Sequence, residues 1–485
     1  MRAAEPIAPL SESTWPGWLR RHSGVELLGQ PRLFFAWMAI ALSLLAILYV
    51  GAWNAAKYPV PLGYDAQGHV DYTHVLLREH HIPTSTQSAE SNQPPLYYAV
   101  AGAAAIVGHT VFGWSEDRPY SQLPEISYRG AQILNVLFVL LTALCVLWLA
   151  RIVAPRSPWV WASAVGYFAF LPVVAKTMAM FHPDNLGMLA SAAAVAAATH
   201  ILARRTFERR YLLLLSLSLA VGLATRASTI FTLIALAVGF AFAGRDLRRR
   251  VPWRAVGKVA AVAACLVIPW IAYRAIVHHA GPLNATTHVI DAALHPSAPQ
   301  NDTLANRAPY FHISARSVFE TPWRSHYANQ AFTQTYTEIW GDWLGQYAWS
   351  SYSLIPTGPA QKLLRDQSYI GAIPTALAIA GWLFLAWLAL RKRRDLLVLA
   401  VLPAFAVGGY FYRGWILLTR DGDLFKATYV LTSAPVWALG FGLATAWLAS
   451  RSRLARYGMI VLFAVFAVLE LRFTMYGIRD HRPIF

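Results

Sequence analysis

The feature that most constrains this chain is a series of apolar runs separated by short polar turns. Roughly 20 consecutive apolar residues cross the ~30 Å hydrocarbon core of a bilayer as a helix. Hydrophobic residues make up 56% of the chain and charged residues only 13%, against about 25% charged residues in soluble domains. The sequence therefore predicts an all-α integral membrane protein. The two cysteines, Cys145 and Cys265, lie inside apolar runs, so no disulfide framework is expected.

The hydropathy pattern predicts about 11 transmembrane helices, at about 33–53, 130–151, 159–178, 185–203, 211–225, 228–243, 256–276, 370–390, 395–412, 428–449 and 458–475. The net charge is +17, which on its own suggests a nucleic-acid partner. However, the arginines cluster in short turns between the spans, where they act as topology signals. We therefore expect no nucleic acid among the partners.

Segment 94–113 is apolar but is predicted to lie on the outer leaflet as a juxtamembrane helix. With eleven spans, the basic clusters at 204–210, 245–250, 391–394 and 451–456 share the inner side with Arg20 and Arg21. An additional span at 94–113 would place those clusters outside, against the positive-inside rule. The proline pair at 94–95 suits the first turn of a helix, where a missing N–H costs little.

The predicted organisation has four parts: a cytoplasmic segment 1–32, a transmembrane module 33–276 with an external loop 54–129, a large aromatic-rich external loop 277–369, and C-terminal transmembrane helices at 370–485. The short charged stretch 421–426 precedes the tenth span, and its role is open.

The first external loop carries the strongest chemical signal. Asp65 is followed by His69, and Glu90 and Gln93 come about twenty residues later. A carboxylate just above a bilayer can act as a general base on a substrate held there by a lipid tail. The alternative is that Asp65 is a solvated loop residue or the N-cap of a helix beginning near Ala66.

Residues 65–69 (D-A-Q-G-H) and 90–98 (E-S-N-Q-P-P-L-Y-Y) resemble the "D-E-x-x-H … E-x-x-Q-P-P-L-Y-Y" pattern of bacterial GT-C glycosyltransferases that use polyprenyl-phosphate sugars. These enzymes are relatives of protein O-mannosyltransferases and aminoarabinose transferases. The resemblance implies a GT-C-like fold, a juxtamembrane helix after the proline pair, and Asp65 as catalytic base. Ala66 replaces the second acid of the pattern, which leaves Glu90 as the candidate second carboxylate.

His69 follows Asp65 by four residues and shares its face if the segment is helical. It could orient an acceptor, bind a donor phosphate, ligate a metal, or be an interfacial histidine with a structural partner. His182 and Asp184 lie in the turn F-H-P-D-N-L at 181–186, which loosely resembles the family's "N-D-A-L". Asp184 either N-caps the following span or faces the same cavity as Asp65.

Arg226 ends the sequence G-L-A-T-R at the outer junction of two predicted spans, where the family shows "L-x-T-K". An arginine at this depth is by default a functional hypothesis, because burying a lone cation is costly. It can grip a phosphate through two parallel hydrogen bonds. The alternative is snorkelling to the interface. Arg129 and Lys176 are further candidates for substrate binding.

The sequence does not identify a cofactor, although a divalent metal is a candidate. Carboxylate and imidazole groups ligate divalent metals, which makes Asp65, Asp184 and His69 candidate ligands, but the histidine-rich first loop lacks a fixed ligand spacing.

The resemblance implies transfer of a sugar from a polyprenyl-phosphate donor to an envelope acceptor (lipid, glycan or protein), at the outer face of a bacterial inner membrane. The inner loops are short and basic and hold no G-x-G-x-x-G or Walker sequence, which fits a membrane-borne donor. The alternatives are a transporter or flippase of lipid-linked glycans, which would show internal repeats and broken helices, and a non-catalytic scaffold. No repeat is apparent, and this favours the enzyme.

Overall fold

The computed structural model describes residues 30–60, 62–114, 127–242, 253–277, 310–323, 330–341, 358–416 and 426–475. These residues form α-helices joined by turns and two short 3-10 helices, without a β-strand among them. The described α-helices are, in chain order, α1 Gln30–Lys57, α2 Ala66–Arg78, α3 Leu96–Phe112, α4 Arg129–Val153, α5 Pro158–Ala169, α6 Pro172–Ala179, α7 Asp184–Arg204, α8 Arg209–Leu223, α9 Thr229–Phe242, α10 Trp253–Val277, α11 Ala315–Phe319, α12 Ala331–Trp340, α13 Gly358–Arg391, α14 Leu397–Ile416, α15 Ala434–Arg451 and α16 Arg453–Thr474. The 3-10 helices are Arg394–Leu396 and Ala427–Ser433.

Within the described ranges, seven helical stretches are long and apolar enough to cross a membrane: Leu33–Lys57, Arg129–Val153, Asp184–Arg204, Gln361–Arg391, Arg394–Trp415, Ala427–Arg451 and Arg453–Thr474. The predicted straight span at 159–178 is instead a pair, α5 and α6, bent by 49°. Pro172 explains the break, because proline lacks the N–H that would continue the helix and disfavours helical geometry in the residue before it. The bent pair raises the number of candidate spans to eight.

The predicted count of eleven spans is not confirmed. The segments predicted at 211–225 and 228–243 form α8 and α9, of 15 and 14 residues, both shorter than the roughly 20 residues that a perpendicular crossing needs. The helix predicted at 94–113 is present as α3, with Pro95 at its N-cap. The predicted span at 370–390 lies within α13, which begins earlier, at Gly358.

Small residues bring the central helices close together. α7 is rich in alanine and is buried along most of its length, against α4 and α8. α13 and α15 approach so closely that a Cβ on Gly381 would lie 1.8 Å from the carbonyl oxygen of Gly440. Small residues of this kind allow backbone contact between membrane helices, where no hydrophobic driving force acts between them.

The outermost helices face lipid. α1 and α16 carry exposed large apolar side chains along their length, among them Phe34, Leu42, Tyr49, Val461 and Val468. Apolar surface of this extent marks contact with a membrane or with another protein. Together with the candidate spans, it identifies a multi-pass membrane protein.

The first loop is folded back onto the bundle. α2 packs on α3, and α3 packs on α4. The Leu96 N–H donates to the carbonyl of Ala224 (3.3 Å) in the turn between α8 and α9. The Tyr97 hydroxyl donates to Asn135 Oδ1 (3.3 Å) on α4. The first bond places the first-loop motif against the turn that carries Arg226. Asn135 itself donates to the carbonyl of Met180 (2.8 Å), just before the turn that carries Asp184.

Candidate active site

Asp65 stands at the start of α2 with its backbone in the left-handed region, at φ +53°. It occupies the N-cap position, but its side chain makes no capping hydrogen bond. The carboxylate instead accepts from Lys426 Nζ, 2.5 Å from Asp65 Oδ2. Lys426 immediately precedes the 3-10 helix Ala427–Ser433, and the ion pair is largely buried.

The pair keeps both partners charged. Burial alone would raise the pKa of Asp65, but the ammonium of Lys426, helped by the guanidinium of Arg226, holds that pKa below its ordinary value. Burial likewise opposes the charge on Lys426, yet Tyr429, and after it the carboxylates of Asp65 and Glu90, raise the pKa of Lys426 above the ordinary value. Asp65 is therefore an ionised carboxylate at neutral pH.

His69 lies one helical turn after Asp65 and is fully buried. Its Nδ1 is hydrogen-bonded to the Tyr98 hydroxyl at 2.9 Å, and its ring meets that of His182 edge-on with centroids 4.9 Å apart. Burial lowers the pKa of both histidines well below the ordinary value. Both imidazoles are therefore neutral at pH 7.

Asp184 and Arg226 form an ion pair, with Nε of the arginine 2.6 Å from Oδ1 of the carboxylate and both side chains buried. His182 Nδ1 is 3.4 Å from the other carboxylate oxygen of Asp184. The Arg226 guanidinium lies 5.0 Å from the centre of the Tyr429 ring. Arg226 therefore does not extend to the interface. Its buried Nη1 has no hydrogen-bond partner among the described residues, which leaves a donor for an anionic ligand.

Glu90 is the candidate second carboxylate of the first-loop motif. The loop lies so close to α2 that a Cβ on Gly68 would be 3.1 Å from Glu90 Cγ. Burial and the charge of Asp65 raise the pKa of Glu90, and the charges of Arg226 and Lys426, with a hydrogen bond from the Gln93 side chain, partly offset this. The two carboxylates thus differ in proton affinity, as a pair with separate roles requires.

Two predicted binding residues lie elsewhere. Arg129 is exposed, and its Nη1 donates to the carbonyl of Ala56 at the end of α1 (3.0 Å). Lys176 is buried in α6, where Nζ donates to the Tyr64 hydroxyl (2.8 Å) and to the carbonyl of Glu338 (2.6 Å). Lys176 therefore joins the side chain of Tyr64, the residue before Asp65, to α12, and Arg129 joins α4 to α1.

Asp65, His69 and His182 form a group suited to a metal ion. One ligand atom from each lies within 4.8 Å of the others. The Nε2 atoms of both histidines are buried and have no partner among the described residues. Neutral imidazole with carboxylate is a donor set that zinc accepts. Asp184, a candidate metal ligand from the sequence, is paired with Arg226 instead. His182 is the third member of the group.

Lys426 is the residue that sequence reasoning left without a role. Its only signal was a cation just before an apolar run, inside the charged stretch 421–426. Tyr98 was part of the quoted motif, but the motif gave no indication that its hydroxyl would hold His69.

No protein-family profile matches the chain, and no curated protein matches it in sequence. Solved structures do match. The apo oligosaccharyltransferase of Archaeoglobus fulgidus superposes with a TM-score of 0.51 at 13% identity, over 91% of this chain and 56% of that one. The oligosaccharyltransferase AglB of the same organism, in complex with an inhibitory peptide and a dolichol phosphate, gives 0.51 at 12% identity, over 92% and 56%.

ArnT from Cupriavidus metallidurans, bound to undecaprenyl phosphate, gives a TM-score of 0.46 at 15% identity, over 89% of this chain and 64% of that one. That score is too low to add to the argument. The chain spans a little over half the length of the oligosaccharyltransferase structures. At this identity the likeness establishes the fold, and the fold is the one that the first-loop motif predicts: a GT-C-like membrane fold similar to that of the oligosaccharyltransferase.

Proposed function

We propose that the protein is a glycosyltransferase that moves a sugar from a polyprenyl-phosphate donor to an envelope acceptor, on the outer side of a bacterial inner membrane. The observation that carries this proposal is the convergence of Asp65, Lys426 and the Asp184–Arg226 pair in one buried cluster. Four separate stretches of chain supply these residues. Buried charges of this kind cost stability unless they are paired or serve a function.

The fold supports the same class of donor. The AglB structure, which shares this fold, holds a dolichol phosphate and an inhibitory peptide. A lipid-linked donor presents its reacting carbon close to the membrane surface, because the phosphate cannot enter the hydrocarbon core.

In the proposed reaction, the acceptor hydroxyl or amine attacks the anomeric carbon of the sugar and transfers its proton to Asp65. The bond between that carbon and the phosphate oxygen breaks, and polyprenyl phosphate leaves with the electron pair. Lys426 keeps Asp65 ionised and oriented. The free N–H at Arg226 Nη1 stabilises the negative charge that develops on the phosphate. Glu90 and Gln93 line the acceptor side, beside Asp65.

We propose further that Asp65, His69 and His182 hold a divalent cation. When bound, such a cation would add Lewis-acid stabilisation of negative charge at the site. The Tyr98 hydroxyl would fix the His69 ring so that Nε2 faces the cation, as outer-shell hydrogen bonds commonly do in metal sites.

The decisive experiment compares the wild-type protein with Asp65→Asn and Asp71→Asn in release of polyprenyl phosphate from a panel of polyprenyl-phosphate sugars. Asp71 lies on the same helix and accepts from Gln67 (2.7 Å), away from Lys426, so it is the matched control. We expect Asp65→Asn to lower the rate by at least about 10²-fold, the usual contribution of a general base, and Asp71→Asn to leave it unchanged.

Near-normal turnover by Asp65→Asn would show that this residue is not the base. A wild-type protein that releases no polyprenyl phosphate, together with unchanged envelope glycans by mass spectrometry after deletion of the gene, would contradict the transferase function itself.

A further inference from the structure

Glu338 is a buried acid in α12, outside the motifs that form the cluster around Asp65. Its side chain is only 1% exposed. The face of α12 around it is polar and buried as well, with Thr333, Gln334 and Thr337. A buried carboxylate is costly unless hydrogen bonds compensate it, so the partners of Glu338 indicate what it does.

The carboxylate of Glu338 contacts the segment that carries Lys426, the ion-pair partner of Asp65. Oε2 accepts from the backbone N–H of Ala427 at 2.5 Å. Ala427 follows Lys426, whose ammonium holds Asp65. The Gln334 side chain donates to Oε1 at 3.4 Å and orients the carboxylate from the same helix. The hydrogen bond to Ala427 therefore fixes the backbone from which Lys426 extends.

The backbone carbonyl of Glu338 is linked through Lys176 to Tyr64, the residue before Asp65. Its carbonyl accepts from Lys176 Nζ at 2.6 Å, and Lys176 also donates to the hydroxyl of Tyr64 at 2.8 Å. Tyr64 directly precedes Asp65 and is fully buried. This second contact uses the backbone carbonyl of Glu338, so it fixes α12 beside Tyr64 and leaves the carboxylate to hold the Ala427 amide.

We propose that Glu338 is a positioning residue for the transfer reaction, one whose carboxylate holds the backbone that places Lys426 beside Asp65. This inference rests on the proposed function. It makes α12, from the large predicted external loop, part of the support for the catalytic base. Misplacement of reacting groups by about 1 Å can cost roughly 10²-fold in rate.

The test uses the full-length protein with Glu338→Ala and Glu338→Gln, each alone and in a Lys426→Ala background. We expect Glu338→Ala to lower the single-turnover rate at saturating donor by about 10- to 100-fold. Glu338→Gln keeps an oxygen that accepts from Ala427, so it should recover most of the rate. In the Lys426→Ala background, Glu338→Ala should cost little more, because residues that act through one another are not additive.

Asp395→Ala is the matched control. Asp395 accepts from Arg393 (2.6–3.2 Å) beside the 3-10 helix Arg394–Leu396, so its loss breaks a comparable hydrogen-bonded pair outside the cluster. Its effect on rate should be small and equal in both backgrounds. A second readout does not depend on activity: hydrogen exchange of the Ala427 amide should accelerate in Glu338→Ala and stay slow in Glu338→Gln.

Three results would overturn the inference: a wild-type rate in Glu338→Ala, an equal loss in both backgrounds, or unchanged exchange at Ala427. Failure of Glu338→Gln to recover the rate would also count against it. If the wild-type protein shows no transfer, the proposed function fails, and the Ala427 exchange still decides whether Glu338 holds this backbone.

Discussion

Lys426 Nζ lies 2.5 Å from Asp65 Oδ2, although 361 positions separate the two residues in the chain. The contact joins the first loop to the residue that precedes the 3-10 helix Ala427–Ser433 and the last two described α-helices. The carboxylate that the first-loop motif predicts as the catalytic base is thus paired with a cation from a distant part of the sequence.

The Asp65–Lys426 pair predicts a pH dependence. Asp65 must be ionised to accept a proton, and Lys426 holds the pKa of Asp65 down against the opposing effect of burial. Replacing Lys426 with Met should raise that pKa, because burial is then less opposed. The acid limb of the pH–rate profile for polyprenyl-phosphate release should therefore move to higher pH. Lys392→Met, at an exposed lysine beside Trp387, is the control and should leave the limb in place.

Arg226 should matter for the leaving phosphate. Removing one preorganised donor from a developing charge typically costs about 10²–10³ in rate, so we expect Arg226→Ala to lower single-turnover release of polyprenyl phosphate by that factor. Arg226→Lys should recover part of the loss, since the charge survives but the forked geometry does not.

Arg226→Ala also leaves Asp184 buried and unpaired, and breaking a buried pair costs about 3–5 kcal/mol of stability. Rates are therefore to be measured on the folded fraction after size-exclusion chromatography. Asp184→Asn in parallel shows how much of the effect belongs to the ion pair rather than to the cation. A folded Arg226→Ala protein with wild-type rate would make the arginine structural.

The Asp65, His69 and His182 group should bind zinc. In calorimetric titration of chelator-treated protein, His182→Ala should abolish binding at this site. Tyr98→Phe should weaken it by about 10- to 100-fold, the usual cost of losing an outer-shell partner of a ligating histidine. His109→Ala, at an exposed histidine near the end of α3, is the control. Equal affinities in all four proteins would refute the site.

The predicted sidedness can be tested with two exposed loop threonines. Thr86 lies in the first loop and Thr206 in the turn between α7 and α8, beside the arginines assigned to the inside. In a background lacking Cys145 and Cys265, Thr86→Cys should react with an impermeant maleimide on intact cells. Thr206→Cys should react only after permeabilisation, and labelling in the reverse order would invert the topology.

The helical class of the fold could be predicted from the sequence because the lengths of the apolar runs match the thickness of a bilayer. The number of spans could not be predicted in the same way. The helices at 209–223 and 229–242 are too short for the length criterion alone. The break at Pro172 is local, and it was visible in the sequence as a proline inside an apolar run.

The site divides in the same way. Asp65, His69, Glu90 and Gln93 lie within one loop, so a motif could bring them together. The partnership of Asp184 with Arg226 and that of Asp65 with Lys426 depend on how distant helices pack. Residue spacing in the sequence does not predict such pairs. A lysine before an apolar run has the same local sequence whether its side chain contacts lipid headgroups or a catalytic carboxylate.

The left-handed backbone of Asp65 has a thermodynamic consequence. A residue other than glycine in this region costs roughly 1–3 kcal/mol, and glycine adopts it almost freely. Asp65→Gly should therefore melt at a higher temperature than Asp65→Ala, since both variants leave Lys426 without its carboxylate and only the alanine keeps the backbone strain. At this position the chain gives up some backbone stability to place a carboxylate beside Lys426.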